Sequence, residues 1–207
     1  MKVLATDSFA VDLAARAIGR GVVICLPTDT VYGIGADPMS PTAITRLLTA
    51  KSRTRANPSP VLVTGIDQAR SVSASLPEAA LKLMEAFWPG ALTIVVPANE
   101  EIGWDLGETN GTVALRMPDS ALTLDLLATV GPLAVTSANQ HGQPPATTVD
   151  EAQAQLGDAV TLYLDGGVVG GGEGIASTIV DTTAAPRILR QGGISQEMIE
   201  RVLGVSL

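Results

Sequence analysis

The sequence predicts a mixed α/β fold, one sheet of roughly seven strands with helices packed against it. Segments with helical apolar spacing interleave with short β-branched runs. Two pairs of such runs, 91–96 with 112–117 and 178–180 with 187–189, are joined without an intervening helix and suit antiparallel hairpins. No repeat, low-complexity linker or composition break divides the chain, so residues 1–207 are expected to form one domain.

The elements follow in order. Phe9, Leu13, Ala14, Ala17 and Ile18 can share a face of a helix over 7–20, which Gly19 and Gly21 end. Residues 22–27 are a continuous apolar run, the mark of a strand covered on both faces. Ser40-Pro41 reads as an N-cap with proline at the first helical position, opening a helix to about Ala50. The segment from Lys51 is then a loop, and 61–63 a short strand. Residues 77–88 form a helix with Leu81, Met84 and Trp88 on one side, stopped by Pro89-Gly90. Strands at 91–96 and 112–117 flank a surface loop over 99–111. A helix over 120–130 and a strand over 133–136 come next. Thr148 with Glu151 three residues later makes a capping box for a helix to about Leu156. Residues 161–164, 178–180 and 187–189 are the remaining strands, and Ser195 caps a last short helix.

Composition narrows the function. Of 207 residues, 46% are apolar, 16% charged and 3% aromatic, so the core rests on Val, Leu, Ile and Ala. The net charge of −8 repels a nucleic-acid backbone on average while leaving room for a local basic pocket. One cysteine, Cys25, excludes an intrachain disulfide and a multi-cysteine zinc site, and its apolar setting makes it a buried hydrophobe. The lone His141 sits in a Gly/Pro-rich loop and reads as solvated rather than catalytic. The acidic residues show no metal-loop spacing, so no protein-bound metal is expected. No signal-peptide pattern or membrane-length apolar run is present, and a cytoplasmic location with no membrane partner is the expectation.

The chemistry concentrates in short polar motifs beside the strands. Pro27-Thr28-Asp29-Thr30 places two hydroxyls and a carboxylate at a strand end, either to hold a substrate or to bend the chain in an Asx- or ST-turn. Tyr32, Gly33 and Gly35 follow, a phenol and two permissive glycines. Lys51-Ser52-Arg53-Thr54-Arg55 ends a helix. Dipole complementation accounts for one cation there and poorly for three, so an electropositive clamp for phosphates is the better reading. Asn57 in the following Pro-rich exit can point an amide into a site. Arg116 in an apolar strand suits a carboxylate held through two parallel bonds, or a salt bridge to an acidic residue. Thr136-Ser137-Ala138-Asn139 fits nucleotide binding or a plain strand-to-loop transition. The glycines of 166–174 form no P-loop or dinucleotide fingerprint and read as a mobile hairpin loop rather than a phosphate nest. No usual nucleophile–base pair appears, which points to catalysis by positioning and charge neutralisation.

Taken in order, these motifs resemble the YrdC-like family over residues 22–190. The residues that carry the resemblance are Pro27-Thr28-Asp29-Thr30-Val31-Tyr32-Gly33 with Gly35, Lys51 and Arg53, Ser137-Ala138-Asn139, Ser177-Thr178, and Leu189-Arg190. It implies a twisted mixed sheet whose concave face carries the site. It also implies an activity: L-threonine, bicarbonate and ATP give L-threonylcarbamoyladenylate, pyrophosphate and water. The product would pass to the machinery that modifies tRNA next to the anticodon. By position, Thr30, Arg116, Ser137 and Ser177 would contact threonine. Lys51, Arg53, Asn57, Thr112, Asn139, Thr147 and Arg190 would line the ATP side, with Lys51 and Arg53 catalytic and Mg²⁺ arriving with ATP. This sequence departs from the family pattern at Ser52, where glycine is common, and at Thr54, where proline or glycine is common. It lacks the histidine often found after the strand at 61–63 and the glutamate often found before Ser177.

Two other readings remain at this stage. One is a double-stranded RNA-binding module without adenylation activity, which the acidic charge and scarce aromatics disfavour, so direct RNA contact is expected to be weak. The other is the carbamoyl-transfer module of hydrogenase maturation proteins, whose cysteine zinc motifs a single cysteine cannot supply.

Overall fold

The computed structural model describes residues 1–4, 9–52 and 54–207. Among the described residues, ten strands form one mixed sheet: β1 (Lys2–Leu4), β2 (Ile24–Leu26), β3 (Gly33–Ala36), β4 (Val61–Leu62), β5 (Leu92–Pro97), β6 (Thr112–Arg116), β7 (Leu133–Ser137), β8 (Leu162–Asp165), β9 (Thr178–Asp181) and β10 (Arg187–Arg190). Their spatial order is β1-β8-β2-β3-β7-β4-β6-β5-β9-β10. The two expected hairpins, β5/β6 and β9/β10, are antiparallel. Seven α-helices among the described residues flank the sheet: α1 (Ala10–Gly19), α2 (Pro41–Ala50), α3 (Ile66–Val72), α4 (Glu78–Phe87), α5 (Ala121–Val130), α6 (Val149–Leu156) and α7 (Gln196–Leu203).

The strand count exceeds the expected seven, and β1, β3 and α3 are new relative to the sequence reading. β3 explains the gap best. Gly33-Ile34-Gly35 carries no strand signal in the sequence, yet it pairs with β2 on one side and β7 on the other. A Cβ at Gly33 would stand 2.6 Å from Val135 Cγ1, so glycine is what lets this strand close against its neighbour. Two helix faces also differ from expectation. In α1 the buried face is Ala10, Ala14 and Ile18, while Phe9 is exposed. In α4 it is Ala80, Leu83 and Met84, with Leu81 only half-buried. Both follow helical spacing, but in a phase fixed by the sheet rather than by the largest side chains.

The caps hold as read. The Ser40 hydroxyl accepts from the Ala43 N–H, and Thr148 from the Glu151 N–H at 3.2 Å. Glu151 reaches back one residue further than a capping box requires, accepting from the N–H and hydroxyl of Thr147. Ser195 caps α7 through the Met198 N–H.

Side-chain alternation gives the sheet two different faces. Val23 and Cys25 join one core, with α2, α3, α4, α6 and α7; Ile24 and Leu26 join the other, with α1 and α5. The second core runs from β1, β8 and β2 across to Leu133 and Val135 of β7 and Leu62 of β4. Towards β10 that face is open: Leu92, Ile94 and Val96 point into the first core while Thr93 and Val95 line a cleft, and Val113 and Leu115 alternate likewise with Ala114 and Arg116.

The glycine-rich segment is docked rather than a free hairpin loop. The Tyr32 hydroxyl donates to Gly167 O and accepts from the Gly166 N–H, and burial pushes its pKa up to about 12. Gly170 lies against the Thr30 carbonyl, where a Cβ would sit 1.9 Å from the oxygen, at φ +57°. Gly170→Ala is therefore expected to lower unfolding free energy by about 2–4 kcal/mol in a denaturant titration; an unchanged midpoint would contradict this packing.

Asp181 ends β9, and burial works against its ionisation. The hydroxyl and N–H of Thr183 and the guanidinium of Arg187 together outweigh burial and hold its carboxyl below the ordinary value. The stability this gives is fully present above the unfolded carboxyl pKa near 4 and is lost as pH falls through the lower folded value. The stability difference between wild type and Asp181→Asn should therefore shrink on acidification below about pH 4, as thermal unfolding across a pH series will show.

Candidate active site

The open part of the sheet forms a cleft of about 450 Å³. Its walls come from the turn after β2, the Pro-rich segment before β4, and the cleft-facing positions of β5, β6, β7, β9 and β10. Thr30, Asn57, Arg116, Ser137, Ser177 and Arg190, all singled out in the sequence, line it together.

Arg116 is 7% exposed and its donors are engaged on three sides. Nε donates to Gly90 O at 2.9 Å, Nη1 to Thr30 Oγ1 at 2.9 Å and Nη2 to Asp29 Oδ1 at 2.6 Å. Burial works against its charge and lowers its pKa; Asp29 opposes that shift. Both sequence readings of Arg116 thus meet at one place, since the guanidinium is salt-bridged and also faces the cleft. Asp29 Oδ1 accepts from the Asp119 N–H as well, so the turn, β6 and the start of α5 are tied to one carboxylate.

Thr28 takes the turn-forming role. Its hydroxyl donates to Val31 O at 2.6 Å and accepts from the N–H groups of Thr30 and Val31. That ST-turn aims Thr30 at Arg116.

Ser177 precedes β9. Its hydroxyl lies 2.8 Å from Thr93 Oγ1 and accepts from Arg190 Nη2 at 3.2 Å. Arg190 also donates from Nε and Nη2 to Ser177 O. Thr178, fully buried, points the other way and holds the turn after β10 through Gly192 and Ile194.

Lys51, Asn139, Thr112 and Thr147 are not in the cleft wall. Lys51 caps α2 and is fully buried; Nζ donates to Ser137 O and to Asn139 O and Oδ1. Asn139 donates to Gln140 O and Gln143 O, bracing the loop that carries His141 to the cleft rim. Thr112 bonds Thr109 O at the far end of β6, and Thr147 is held by Glu151. Arg53 lies outside the described residues. Arg55 turns away and pairs with Asp105. Ser52 adopts φ +50°, the left-handed conformation that suits glycine at this position.

Thr93 is the lining residue that sequence reasoning missed. It is one hydroxyl inside an apolar strand, and only the parallel pairing of β5 with β9, which sets Thr93 beside Ile179, brings it next to Ser177. Among the described residues no group of three or more His, Cys, Asp or Glu side chains is placed to hold a metal ion, and no helix is long and apolar enough to cross a membrane.

Two guanidinium groups and several hydroxyls thus converge on the open face of a mixed α/β sheet. The chain belongs to the Sua5/YciO/YrdC family: that family's model, whose description reads "Telomere recombination", matches residues 16–192. A Mycobacterium tuberculosis relative is 48% identical over 193 residues, covering 93% of this chain and 88% of its own length. The threonylcarbamoyl-AMP synthase of Bacillus subtilis is 37% identical over 205 residues, covering 97% of this chain and 58% of that one. The crystal structure of Pyrococcus abyssi Sua5 complexed with L-threonine superimposes with a TM-score of 0.89 at 33% identity, covering 99% of this chain and 60% of that one. The family resemblance and fold class read from the motifs are both borne out.

Relaxing the strained loop residue gives a direct check on the loop after α2. Ser52→Gly should raise stability by about 0.5–1 kcal/mol, less than the full left-handed penalty because glycine also gains freedom when unfolded. A destabilised Ser52→Gly in chemical denaturation would mean that the serine side chain is itself needed.

Proposed function

We propose that this chain is an L-threonylcarbamoyladenylate synthase, converting L-threonine, bicarbonate and ATP into threonylcarbamoyl-AMP, pyrophosphate and water. The observation that carries the reading is the Arg116–Thr30 pair facing one cleft with Ser137, Ser177 and Arg190. The relatives' names support it; the double-stranded RNA reading gains no support from them.

The roles are assigned as follows. Arg116 takes the threonine carboxylate, with Thr30, Ser137 and Ser177 bonding the rest of the amino acid. Arg190, at the exposed mouth, and Asn57 meet ATP, and Arg53 is assigned to ATP by its place in the family motif. Lys51 and Asn139 act at the Ser137 end of the cleft. For Lys51 to reach phosphate, its ammonium exchanges the oxygens of Ser137 and Asn139 for those of the nucleotide. Thr112 and Thr147 complete the ATP side from positions behind the wall. ATP is the nucleotide substrate and brings Mg²⁺ with it. The whole of 1–207 works as one domain, in the cytoplasm, and hands its product to the tRNA-modifying machinery.

The reaction follows from that arrangement. The threonine amine and bicarbonate condense to a carbamate with loss of water. A carbamate oxygen attacks the α-phosphorus, and the bond to pyrophosphate breaks. Negative charge crowds at one place throughout, so fixed cations lower the barrier more than a proton-transfer group would. The carbamate is labile, and a half-enclosed cleft that holds it against ATP limits its loss to water.

The test is pyrophosphate release from ATP with Mg²⁺, with threonine and bicarbonate each added or omitted and the adenylate detected by mass. Release that requires both, with the adenylate present, is expected; folded protein that releases none overturns the reading. Arg116→Ala should raise the threonine KM by at least about 100-fold, since a buried charged partner is lost. Lys51→Ala should lower kcat by about 10²–10³-fold. Wild-type kinetics in both would refute the assignment of residues.

A further inference from the structure

Ser137 and Ser177 stand on opposite sides of the cleft with opposite hydrogen-bonding polarity. A hydroxyl has one proton to donate and two lone pairs to accept with. Ser137 Oγ donates to Asn139 Oδ1 at 2.6 Å and accepts from Lys51 Nζ at 3.3 Å. Its proton is committed, and what it offers the cleft is a lone pair. Ser177 Oγ accepts from Arg190 Nη2 and lies 2.8 Å from Thr93 Oγ1. Thr93 is 1% exposed, and a hydroxyl so buried must be bonded. If Thr93 donates, both lone pairs of Ser177 are filled and its proton is left for the cleft.

We propose that Thr93 is a positioning residue that fixes Ser177 as a hydrogen-bond donor to an oxygen of the amino-acid substrate. The inference rests on the synthase reading above. The donors Arg116 and Ser177 then define the side of the cleft that receives carboxylate oxygen. Ser137, an acceptor, defines the side that receives an amine or hydroxyl proton. One hydroxyl in β5 thereby helps to set which way round the amino acid lies. Valine would fill the same space in a strand that is otherwise apolar, so packing does not account for a hydroxyl here.

The test measures pyrophosphate release at saturating ATP and bicarbonate with L-threonine varied. The proteins are wild type, Thr93→Val and Thr93→Ser, with Thr93→Val also placed in a Ser177→Ala background. Thr93→Val should raise the threonine KM about tenfold with kcat within about twofold of wild type. Thr93→Ser should return KM to within about twofold of wild type. In the Ser177→Ala background, Thr93→Val should add nothing further. If instead Ser177 donates to Thr93, valine frees the serine proton and KM stays at the wild-type value, which overturns the proposal. A serine variant no better than valine, or a valine effect that persists without the Ser177 hydroxyl, overturns it equally. Should the valine protein not fold, Thr93→Ala carries the same comparison. A wild type that releases no pyrophosphate in response to threonine defeats the synthase reading itself, whereas the failures above are read against an active wild type.

Discussion

A guanidinium sealed at the end of a strand dictates much of the surrounding architecture. Arg116 cannot stay charged at its depth without acceptors, and breaking a buried pair of this kind costs about 3–5 kcal/mol. Its partners come from three separate segments: Asp29 and Thr30 in the turn after β2, Gly90 before β5, and through Asp29 the backbone of Asp119. These segments are far apart in sequence, and the sheet order brings them together. Thr28 fixes the turn, Gly170 packs under it, and Tyr32 pins the glycine-rich segment that carries Gly170. Satisfying one charge thus organises the floor of the cleft.

The same arrangement explains what the sequence could reveal and what it could not. Caps were legible because their chemistry is local: Ser40, Thr148 and Ser195 each bond within three residues of themselves. The β5/β6 and β9/β10 hairpins were legible because short, helix-free connections leave few alternatives. β3 was not, since two glycines erase the β-branched pattern, and the reason for them is the side chain of Val135 about a hundred residues away. Leu81 and Phe9 fit the apolar spacing, but spacing alone leaves the helix phase open, and the sheet sets it.

For the site, the motifs marked the neighbourhood well. Six of the residues assigned to substrate share one cleft. The depth of each residue was not legible. Lys51 looked like part of an exposed clamp but is wholly buried beneath the Ser137–Asn139 turn. Nothing in a basic run says whether its first cation is spent on solvent, phosphate or backbone carbonyls. Thr93 was invisible for a related reason. Its importance lies in a strand pairing, and a hydroxyl in an apolar stretch shows no partner until β9 is laid alongside.

The register of β9 and β10 shifts between Ile188 and Arg190, an irregularity within the ladder at one margin of the sheet. An outer strand with evenly spaced free amides and carbonyls invites another chain to add on. A shifted register breaks that even spacing, and Arg187 and Arg190 place cations on the same strand. The opposite margin, β1, is only three residues long and carries Lys2. Both ends of a ten-stranded sheet are therefore poor templates for growth. The open face of the sheet can stay accessible to solvent, as a catalyst's must, without the exposed borders drawing copies of the protein into fibrils at high concentration.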